Sequence, residues 1–174
     1  MNFDLVTVYL GLGSNMGDRK ENLDKALDIL GQRLRMDEVS PIYETEPVGS
    51  PGQRYFLNMA VKTYTRLAPA ELLLLIKGIE RKMGRQPGQS GGPRPIDIDI
   101  LFYGDQVVNT PELTVPHPRL AKRAFVLVPL AEIASHLEHP TLKKNIRQLL
   151  KELGSRKGVV KWFPGKEEEC TRLL

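Results

Sequence analysis

Only one of the 174 residues is a cysteine, Cys170, and aromatic residues make up only 6% of the chain. A single cysteine excludes a disulfide within the chain, so we expect a reducing compartment and a cytoplasmic protein. No segment approaches the ~20 consecutive apolar residues of a membrane-spanning helix. The first ten residues contain Asp4 instead of a basic region followed by an apolar stretch, which argues against a leader peptide. We therefore expect a soluble protein with no membrane partner.

Two common nucleotide-binding patterns are also incomplete or missing. Gly11-Leu12-Gly13 lies between a predicted strand and a predicted helix, but Met16 stands where the dinucleotide-binding fingerprint has its third glycine. The chain lacks the Gly-x-x-x-x-Gly-Lys-Ser/Thr loop as well, so ATP would not be held as it is in P-loop enzymes. Any nucleotide site must be built from other residues.

The chain does contain enough apolar residues for one hydrophobic core. Hydrophobic residues make up 41% and charged residues 26%, at a length sufficient for one domain and short for two. We predict a single domain over residues 1–165 and a mobile tail over residues 166–174. The net charge of +4 favours a polyanionic partner.

Hydrophobic periodicity and capping signals predict a mixed order of strands and helices. Asp18 with Glu21 three residues later is typical of a helix N-terminus, and Pro69 suits the first turn of a second helix that ends at Gly84. Strands are predicted over residues 5–12, 36–43, 55–65, 96–103, 107–109 and 159–163, and further helical segments over residues 125–133 and 142–153. This order predicts an α+β fold with a ferredoxin-like split βαβ core, in which a mostly antiparallel sheet is the middle of three layers (αβα).

The segment from Ile96 to Ile100 places two carboxylates inside an apolar strand. Its strict alternation of isoleucine and aspartate predicts a strand in which Asp97 and Asp99 point to the same face. Their Cα atoms would lie roughly 7 Å apart, so that two negative charges there would disfavour each other unless a cation lies beside them. Mg²⁺ is the simplest candidate, because it binds carboxylate oxygens and shares its coordination shell with substrate phosphates.

Two basic stretches flank this strand in the sequence. Five cations and one acid, Glu80, occur between Lys77 and Arg94. Three cations, one histidine and no acid occur between Pro116 and Phe125. Acidic metal ligands between clusters of cations are what a polyphosphate with bound Mg²⁺ requires.

Six short pieces of sequence resemble the 6-hydroxymethyl-7,8-dihydropterin pyrophosphokinase family of folate biosynthesis, in order and in approximate spacing from about residue 6 to about residue 140. The most specific piece is Gly92-Pro93-Arg94-x-Ile96-Asp97-Ile98-Asp99-Ile100. The others are Gly13-Ser14-Asn15, Tyr43-x-Thr45, Phe56-Leu57-Asn58, Ile79-Glu80 with Gly84-Arg85, and Val115-Pro116-His117-Pro118 with Arg123-x-Phe125. The resemblance implies transfer of the terminal diphosphate of ATP to the hydroxymethyl oxygen of the pterin, with release of AMP.

The resemblance also implies a role for individual residues. It implies that Asp97 and Asp99 hold two Mg²⁺ ions and that both act in catalysis together with Arg85 and Arg94. The residues implied to bind ATP are Lys77, Glu80, Arg85, Arg94, Ile100, Thr114, His117 and Arg123. The residues implied to bind the pterin are Thr45, Glu46, Val48, Phe56, Asn58, Asp97 and Phe125. The implied partners are therefore two small molecules, ATP and the pterin, and we expect a monomer that binds no nucleic acid.

The sequence departs from the family pattern in the loop from Gln86 to Gly92. This loop lacks a second arginine soon after Arg85, and Gly91 occupies the place of a common tryptophan. We expect the loop still to close over ATP but to make fewer contacts with phosphate and pterin, which would give weaker nucleotide binding or a slower conformational step.

Two other functional classes remain open. A Mg²⁺-dependent nuclease or nucleotidyl transferase would use the Asp-x-Asp pair equally well but gives no role to Phe56, Asn58 and Phe125. A basic RNA-binding module would show aromatic residues among basic ones on its central strands, and that signal is missing.

Overall fold

A computed structural model of the chain describes residues 4–49, 51–88 and 91–165. The described strands are β1 (Val6–Ser14), β2 (Arg35–Val39), β3 (Tyr43–Thr45), β4 (Phe56–Thr65), β5 (Asp97–Tyr103), β6 (Val108–Asn109), β7 (Thr114–Val115) and β8 (Val159–Lys161). The described helices are α1 (Arg19–Gly31), α2 (Pro69–Lys82), α3 (Ala124–Ala134) and α4 (Ile146–Leu153), with a single 3-10 turn at Leu120–Lys122. The predicted tail over residues 166–174, which includes Cys170, lies outside the described residues.

Six strands form one sheet in which every described pair is antiparallel. The order is β5-β1-β4-β3-β8, and β2 pairs with the opposite end of β4 from β3. Strands β6 and β7 form a separate two-stranded ribbon. The central strands β1 and β4 pair over their whole lengths, from Val6 opposite Thr65 to Ser14 opposite Leu57. The predicted antiparallel sheet with a split βαβ order is confirmed.

The two helices that the sequence predicted most sharply start where the signals place them. The Asp18 carboxylate accepts a hydrogen bond from the Glu21 N–H at 2.9 Å and caps α1. Pro69 is the first residue of α2, where its missing N–H costs no hydrogen bond. Gly84 has a φ of +98°, a conformation that glycine adopts without steric cost, and lies just beyond the end of α2.

Two hydrophobic clusters cover the two faces of the sheet. On one face, α1 and α2 bury Leu23, Leu30, Leu72 and Ile76 against β1, β4 and β5. On the other face, α3 and α4 pack Leu127, Leu130, Ile146 and Leu149 against Tyr9, Ala60 and Phe102. Helices therefore lie on both sides of the sheet, and the predicted three-layer arrangement is confirmed.

The structure corrects two of the predicted boundaries. The strand predicted over residues 36–43 is two strands, β2 and β3. Between them the Ser40 hydroxyl accepts a hydrogen bond from the Ala60 N–H at 2.8 Å, and Pro41 follows without a backbone donor. The helix predicted over residues 142–153 begins only at Ile146, because Asn145 caps it and Lys143 has a φ of +54° that no α-helix accommodates.

Among the described residues, no helix is both long enough and apolar enough to span a membrane.

Candidate functional site

Asp97 and Asp99 are at the start of β5 and face the same side of the sheet. They pair with Gly13 and Gly11 of β1, neither of which carries a side chain to cover them. The alternate residues Ile98 and Ile100 are buried in the core beneath the opposite face. Both carboxylates line two adjoining cavities, which we call the sheet cavity and the basic cleft.

The sheet cavity has a volume of about 160 Å³ and lies over β1 and β4. Its walls include all seven residues that the sequence predicted for the pterin, namely Thr45, Glu46, Val48, Phe56, Asn58, Asp97 and Phe125. Five of these residues come from β3, β4 and the loop between them, and Phe125 comes from α3 on the far side. The cavity therefore combines two aromatic rings, the Asn58 amide and the carboxylates of Glu46, Asp97 and Asp99.

Asn58 is held in place by two neighbours in the sheet cavity. Its Nδ2 donates a hydrogen bond to the Thr45 hydroxyl at 2.6 Å, and the residue is only 9% exposed. A Cβ at Gly13, on the adjacent strand, would lie 2.6 Å from the Asn58 Oδ1. Glycine at position 13 therefore leaves the room beside β1 that the Asn58 amide oxygen occupies.

Each of the two aromatic rings has an arginine over one face. The Arg94 guanidinium lies 5.4 Å from the ring centroid of Phe56, and that of Arg123 lies 5.3 Å from the centroid of Phe125. Such contacts orient both partners, since the negative face of the ring attracts the cation. The same two arginines line both cavities, so they connect the aromatic rings to the basic cleft.

The basic cleft has a volume of about 660 Å³. Six of the eight residues predicted for ATP line it: Lys77, Glu80, Arg85, Arg94, His117 and Arg123. The other two, Ile100 and Thr114, do not line either cavity among the described residues. Ile100 is buried in the core, because strand alternation turns its side chain away from Asp99, and Thr114 is exposed on β7.

Glu80 organises the cations at one end of the cleft. The residue is 2% exposed, and its Oε1 accepts hydrogen bonds from the Arg85 Nη1 at 2.7 Å and from the Ile98 N–H at 2.8 Å. Its Oε2 accepts a hydrogen bond from the Lys77 Nζ at 3.0 Å. A buried carboxylate satisfied in this way holds α2, the start of β5 and Arg85 in one arrangement.

Arg85 bridges Glu80 and the first metal-ligand candidate, Asp97, with which it forms an ion pair. Burial alone would lower the pKa of Arg85, but the charges of Asp97 and Glu80 outweigh it and leave the pKa above its ordinary value. Arg94 is the second cation beside Asp97, with its Nε 3.7 Å from the Asp97 Oδ2. Asp97 thus has two guanidinium groups next to it.

Asp99 is the more isolated of the two carboxylates. Burial, and next the charge of Asp97, raises its pKa to about 6, against the opposing charge of Arg123. A carboxylate with a raised pKa binds a cation favourably, because the cation restores the charge compensation that burial removes. The position of Asp99 therefore favours the binding of a metal ion.

His117 faces Asp99 as a neutral imidazole. Burial, with the charges of Arg123 and Arg119, lowers its pKa to about 4. Its Nδ1 accepts a hydrogen bond from the Arg119 N–H at 3.2 Å, so the proton is on Nε2. This Nε2 lies 3.9 Å from the Asp99 Oδ2 and lines the cleft. His117 is therefore a neutral donor held in one tautomer.

The structure adds Asn15 and Arg119 to the site, and sequence reasoning assigned a role to neither of them. Asn15 directly follows β1 and is 2% exposed, and its Oδ1 accepts a hydrogen bond at 2.9 Å from the N–H of Arg94, three residues before the neighbouring strand β5. Arg119 is exposed and lines both cavities, two residues beyond His117. The Gly-Ser-Asn piece and the second basic stretch were the signals for these residues, but neither signal shows what the side chain contacts.

The loop that departs from the family pattern contacts the site on both sides of residues 89 and 90, since Gln86, Pro87 and Gly88 line the basic cleft and Gly91 follows. The Gly91 carbonyl oxygen accepts a hydrogen bond from the Gln53 Nε2 at 2.8 Å, and Gly91 lines both cavities. Residues 89 and 90 of this loop lie outside the described residues.

Comparison with known proteins identifies the family of this chain. The family model for 7,8-dihydro-6-hydroxymethylpterin-pyrophosphokinase (HPPK) matches residues 9–135. The chain belongs to the HPPK family. Every site residue discussed above lies inside the matched range, and the resemblance inferred from six short motifs is confirmed.

Two bacterial relatives of the HPPK family match most of the chain. The chain is 46% identical over 144 residues to the 2-amino-4-hydroxy-6-hydroxymethyldihydropteridine pyrophosphokinase of Aquifex aeolicus, which covers 83% of this chain and 90% of that protein. It is 48% identical over 132 residues to the enzyme of the same name from Bacillus subtilis, which covers 75% of this chain and 79% of that protein.

Solved structures of Plasmodium falciparum HPPK-DHPS share the fold. A variant with SDX-DHP gives a TM-score of 0.77 at 18% identity and covers 92% of this chain but only 49% of that one. A variant with STZ-DHP gives a TM-score of 0.73 at 19% identity, covering 88% and 44%. This HPPK-family chain therefore spans less than half the length of those two-part proteins, and the likeness concerns the fold.

Proposed function

We propose that the chain transfers the terminal diphosphate of ATP to the hydroxymethyl oxygen of 6-hydroxymethyl-7,8-dihydropterin, releasing AMP, in folate biosynthesis. The observation that carries this proposal is the junction of the two cavities at Asp97 and Asp99. One cavity offers aromatic rings and an amide for a flat heterocycle, and the other offers cations for a polyphosphate. The reacting groups of both substrates would meet at the two carboxylates.

The sheet cavity suits a pterin in both shape and polarity. Phe56 and Phe125 supply ring faces for the heterocycle, and Asn58 supplies an amide that both donates and accepts hydrogen bonds. Thr45 fixes that amide, and Glu46 and Val48 complete the wall on the side of the β3–β4 loop. This set would hold the pterin with its hydroxymethyl group toward Asp97.

The basic cleft suits the triphosphate of ATP. Arg85, Arg94 and Arg123 would contact phosphate oxygens through planar guanidinium groups, which match such oxygens two at a time. His117 would donate from Nε2 to one phosphate oxygen, and Lys77 would add a charge at the α2 side. Glu80 acts on the nucleotide through Arg85 and Lys77. Thr114 is exposed and would contact the nucleotide at the rim of the cleft. Ile100 is buried and would contact the nucleotide through its backbone.

We further propose that Asp97 and Asp99 hold two Mg²⁺ ions together with ATP. The donor set fits, because Mg²⁺ takes one or two carboxylates from a protein and completes its shell with phosphate oxygens and water. Among the described residues no group of three or more histidine, cysteine, aspartate or glutamate side chains converges on one point. Bound there, Mg²⁺ would neutralise the charge that develops on the phosphate chain during transfer.

The chemistry then needs mainly positioning and charge compensation from the protein. The hydroxymethyl oxygen attacks the β-phosphorus, and the bond from that phosphorus to the oxygen bridging the α- and β-phosphates breaks, so that AMP leaves and the hydroxyl proton is lost to solvent. Phe56, Phe125 and Asn58 would hold the nucleophile in line, which can contribute much of the barrier reduction. Arg85, Arg94 and Arg123 would stabilise the negative charge moved onto AMP.

The decisive experiment is product analysis with purified protein, ATP, Mg²⁺ and 6-hydroxymethyl-7,8-dihydropterin. We expect AMP and the diphosphorylated pterin in equal amounts. Formation of ADP, or consumption of ATP independent of the pterin, would contradict the proposal and would favour a nuclease or another phosphotransferase. Retention of RNA in the absence of divalent cations would instead favour a nucleic-acid-binding role.

We also propose that the protein acts as a monomer on these two small molecules and binds no nucleic acid. The two cavities supply groups for both proposed substrates, since one offers aromatic rings and an amide and the other offers cations. Light scattering on the eluting enzyme, with activity measured across the peak, tests the monomer directly.

A further inference from the structure

Arg19 is a buried cation that lies outside both cavities. It is the first residue of α1, and it is only 4% exposed. Its Nη1 donates a hydrogen bond to the Tyr55 carbonyl oxygen at 2.8 Å, and its Nη2 lies 2.8 Å from the Glu44 Oε2. One guanidinium therefore joins two points that are eleven positions apart in the sequence.

Glu44 lies in β3, two residues before the β3–β4 loop begins, and Tyr55 is the last residue of that loop, whose described residues are 46–49 and 51–55. Glu44 directly precedes Thr45, and Tyr55 directly precedes Phe56. Thr45 and Phe56 both line the sheet cavity, as do Glu46, Val48 and other residues of the loop itself. Arg19 thus connects α1 to Glu44 and to Tyr55, and we call these two residues the neck of the β3–β4 loop. The loop itself forms part of the wall of the sheet cavity.

Net stability is a weak explanation for a charged group at this place. A buried ion pair gains little over well-packed apolar side chains of the same volume, because the cost of removing two charges from water offsets their attraction. The planar guanidinium fixes the directions of its hydrogen bonds, since its donors are arranged in a rigid fork. Here two arms of that fork engage a carboxylate and a backbone carbonyl, and together these contacts define where the neck lies relative to α1.

The residues just before α1 also contact the β3–β4 loop. The Arg54 Nη1 donates to the Gly17 carbonyl oxygen at 2.6 Å, close to the same helix terminus. The Asn15 Nδ2 adds two longer hydrogen bonds, each at 3.4 Å, to the Arg54 carbonyl oxygen and the Gln53 Oε1. Arg54 is exposed, whereas Arg19 is buried and makes both of its contacts at 2.8 Å.

We infer that Arg19 is a positioning residue for the pterin, which holds Thr45 and Phe56 at their places in the sheet cavity through Glu44 and the Tyr55 carbonyl. This inference rests on the proposed function and goes beyond it, because Arg19 contacts neither the pterin nor ATP in that proposal. It makes a specific statement about kinetics. Loss of Arg19 should raise the KM for the pterin and leave the KM for ATP unchanged.

The test measures KM for the pterin, KM for ATP, kcat and the melting temperature of four variants. Arg19→Met should raise the pterin KM about tenfold, which is ~1.4 kcal/mol, and should leave the ATP KM within about twofold. Arg19→Lys should give a smaller rise, since one ammonium group on a flexible stem does not reproduce the fork. Glu44→Gln, which keeps the shape and removes the charge, should give a rise of about threefold. The exposed Arg33→Met is the matched control and should change none of the four quantities.

The double variant Arg19→Met with Glu44→Leu separates positioning from stability. Replacement of the ion pair by apolar side chains should bring the melting temperature back toward that of the parent protein. The pterin KM should nevertheless stay raised about tenfold, about 1.4 kcal/mol, because the Tyr55 carbonyl has still lost its donor.

Three outcomes would overturn the inference: a pterin KM unchanged in both Arg19→Lys and Glu44→Gln, an equal rise of both KM values, or a pterin KM that recovers together with the melting temperature in the double variant. If the parent protein forms no AMP from ATP and the pterin, the proposed function itself has failed. That result is distinguishable from a failure of the Arg19 role in an active enzyme.

Discussion

Gly13→Ala should damage pterin binding although it adds only one methyl group. The new Cβ would lie 2.6 Å from the Asn58 Oδ1 and 3.5 Å from the Phe56 Cδ1. An ordinary contact is ~3.5 Å, so the amide oxygen must move by about 0.9 Å. Asn58 cannot make this movement freely, because it is buried and its Nδ2 donates to the Thr45 hydroxyl at 2.6 Å.

The size of the effect follows from the hydrogen bonds at stake. A buried polar group that loses its partner costs about 1–3 kcal/mol. If that cost falls on the pterin-bound state, the pterin KM rises roughly 5- to 150-fold, at about 1.4 kcal/mol for each factor of ten. The ATP KM should stay within about twofold of its parent value. The three atoms nearest to the new Cβ belong to Asn58 and Phe56, and neither residue lines the basic cleft.

The assay is the steady-state formation of AMP with each substrate varied in turn, together with a melting curve. Gly11→Ala is the matched control, since it lies on the same strand and lines the same cavity. There the new Cβ meets only the flexible end of the Leu101 side chain, at 3.4 Å. A double-mutant cycle with Asn58→Ala isolates the clash, because Gly13→Ala should have little further effect once the amide is gone.

Two results would refute this reasoning. One is an unchanged pterin KM in Gly13→Ala. The other is an equal penalty from Gly13→Ala with and without the Asn58 amide, which would place the effect in β1 itself.

Three further predictions concern the carboxylates and the cleft. Asp99→Asn should lower kcat by orders of magnitude with little change in melting temperature, whereas the exposed Asp105→Asn should not change kcat; full activity in Asp99→Asn would remove the metal assignment. His117→Gln should retain more activity than His117→Ala, which we expect to lose about 10- to 100-fold, because the glutamine amide can replace the neutral Nε2 donor; equal losses would show that the donor is unimportant. Arg119→Ala should raise the ATP KM several-fold and should make that KM less sensitive to salt, since an exposed cation acts through a screened charge; an unchanged ATP KM at low salt would contradict a role for Arg119.

Sequence reasoning succeeded where a structure is set by near neighbours in the chain. The Asp18 cap, Pro69 at the start of α2 and the alternation from Ile96 to Ile100 each depend on residues within one or two turns, and each is present in the structure as predicted. Sequence reasoning failed where a single residue decides whether a strand continues or ends. Ser40 ends a strand because its hydroxyl pairs with Ala60, twenty residues away, and no local pattern shows that partner.

The site shows the same division. Motif resemblance selected seven pterin residues that all line one cavity and six ATP residues that line the other. It also selected Ile100, whose side chain the strand alternation buries in the core. Resemblance locates a position in the chain, but the direction of a side chain is a property of the folded strand.

The sequence by itself therefore determined most of the order of strands and helices, the two carboxylates on one face of β5 and the charges available around them, because these follow from periodicity and residue type. Only the tertiary structure decided that Glu80 satisfies three donors at once and that Gly13 makes room for Asn58. It also decided that Arg19 contacts both Glu44 and the Tyr55 carbonyl oxygen. Each of these contacts joins residues that are distant in the chain, and a hydrogen bond or a steric limit between such residues exists only once the sheet has brought them together.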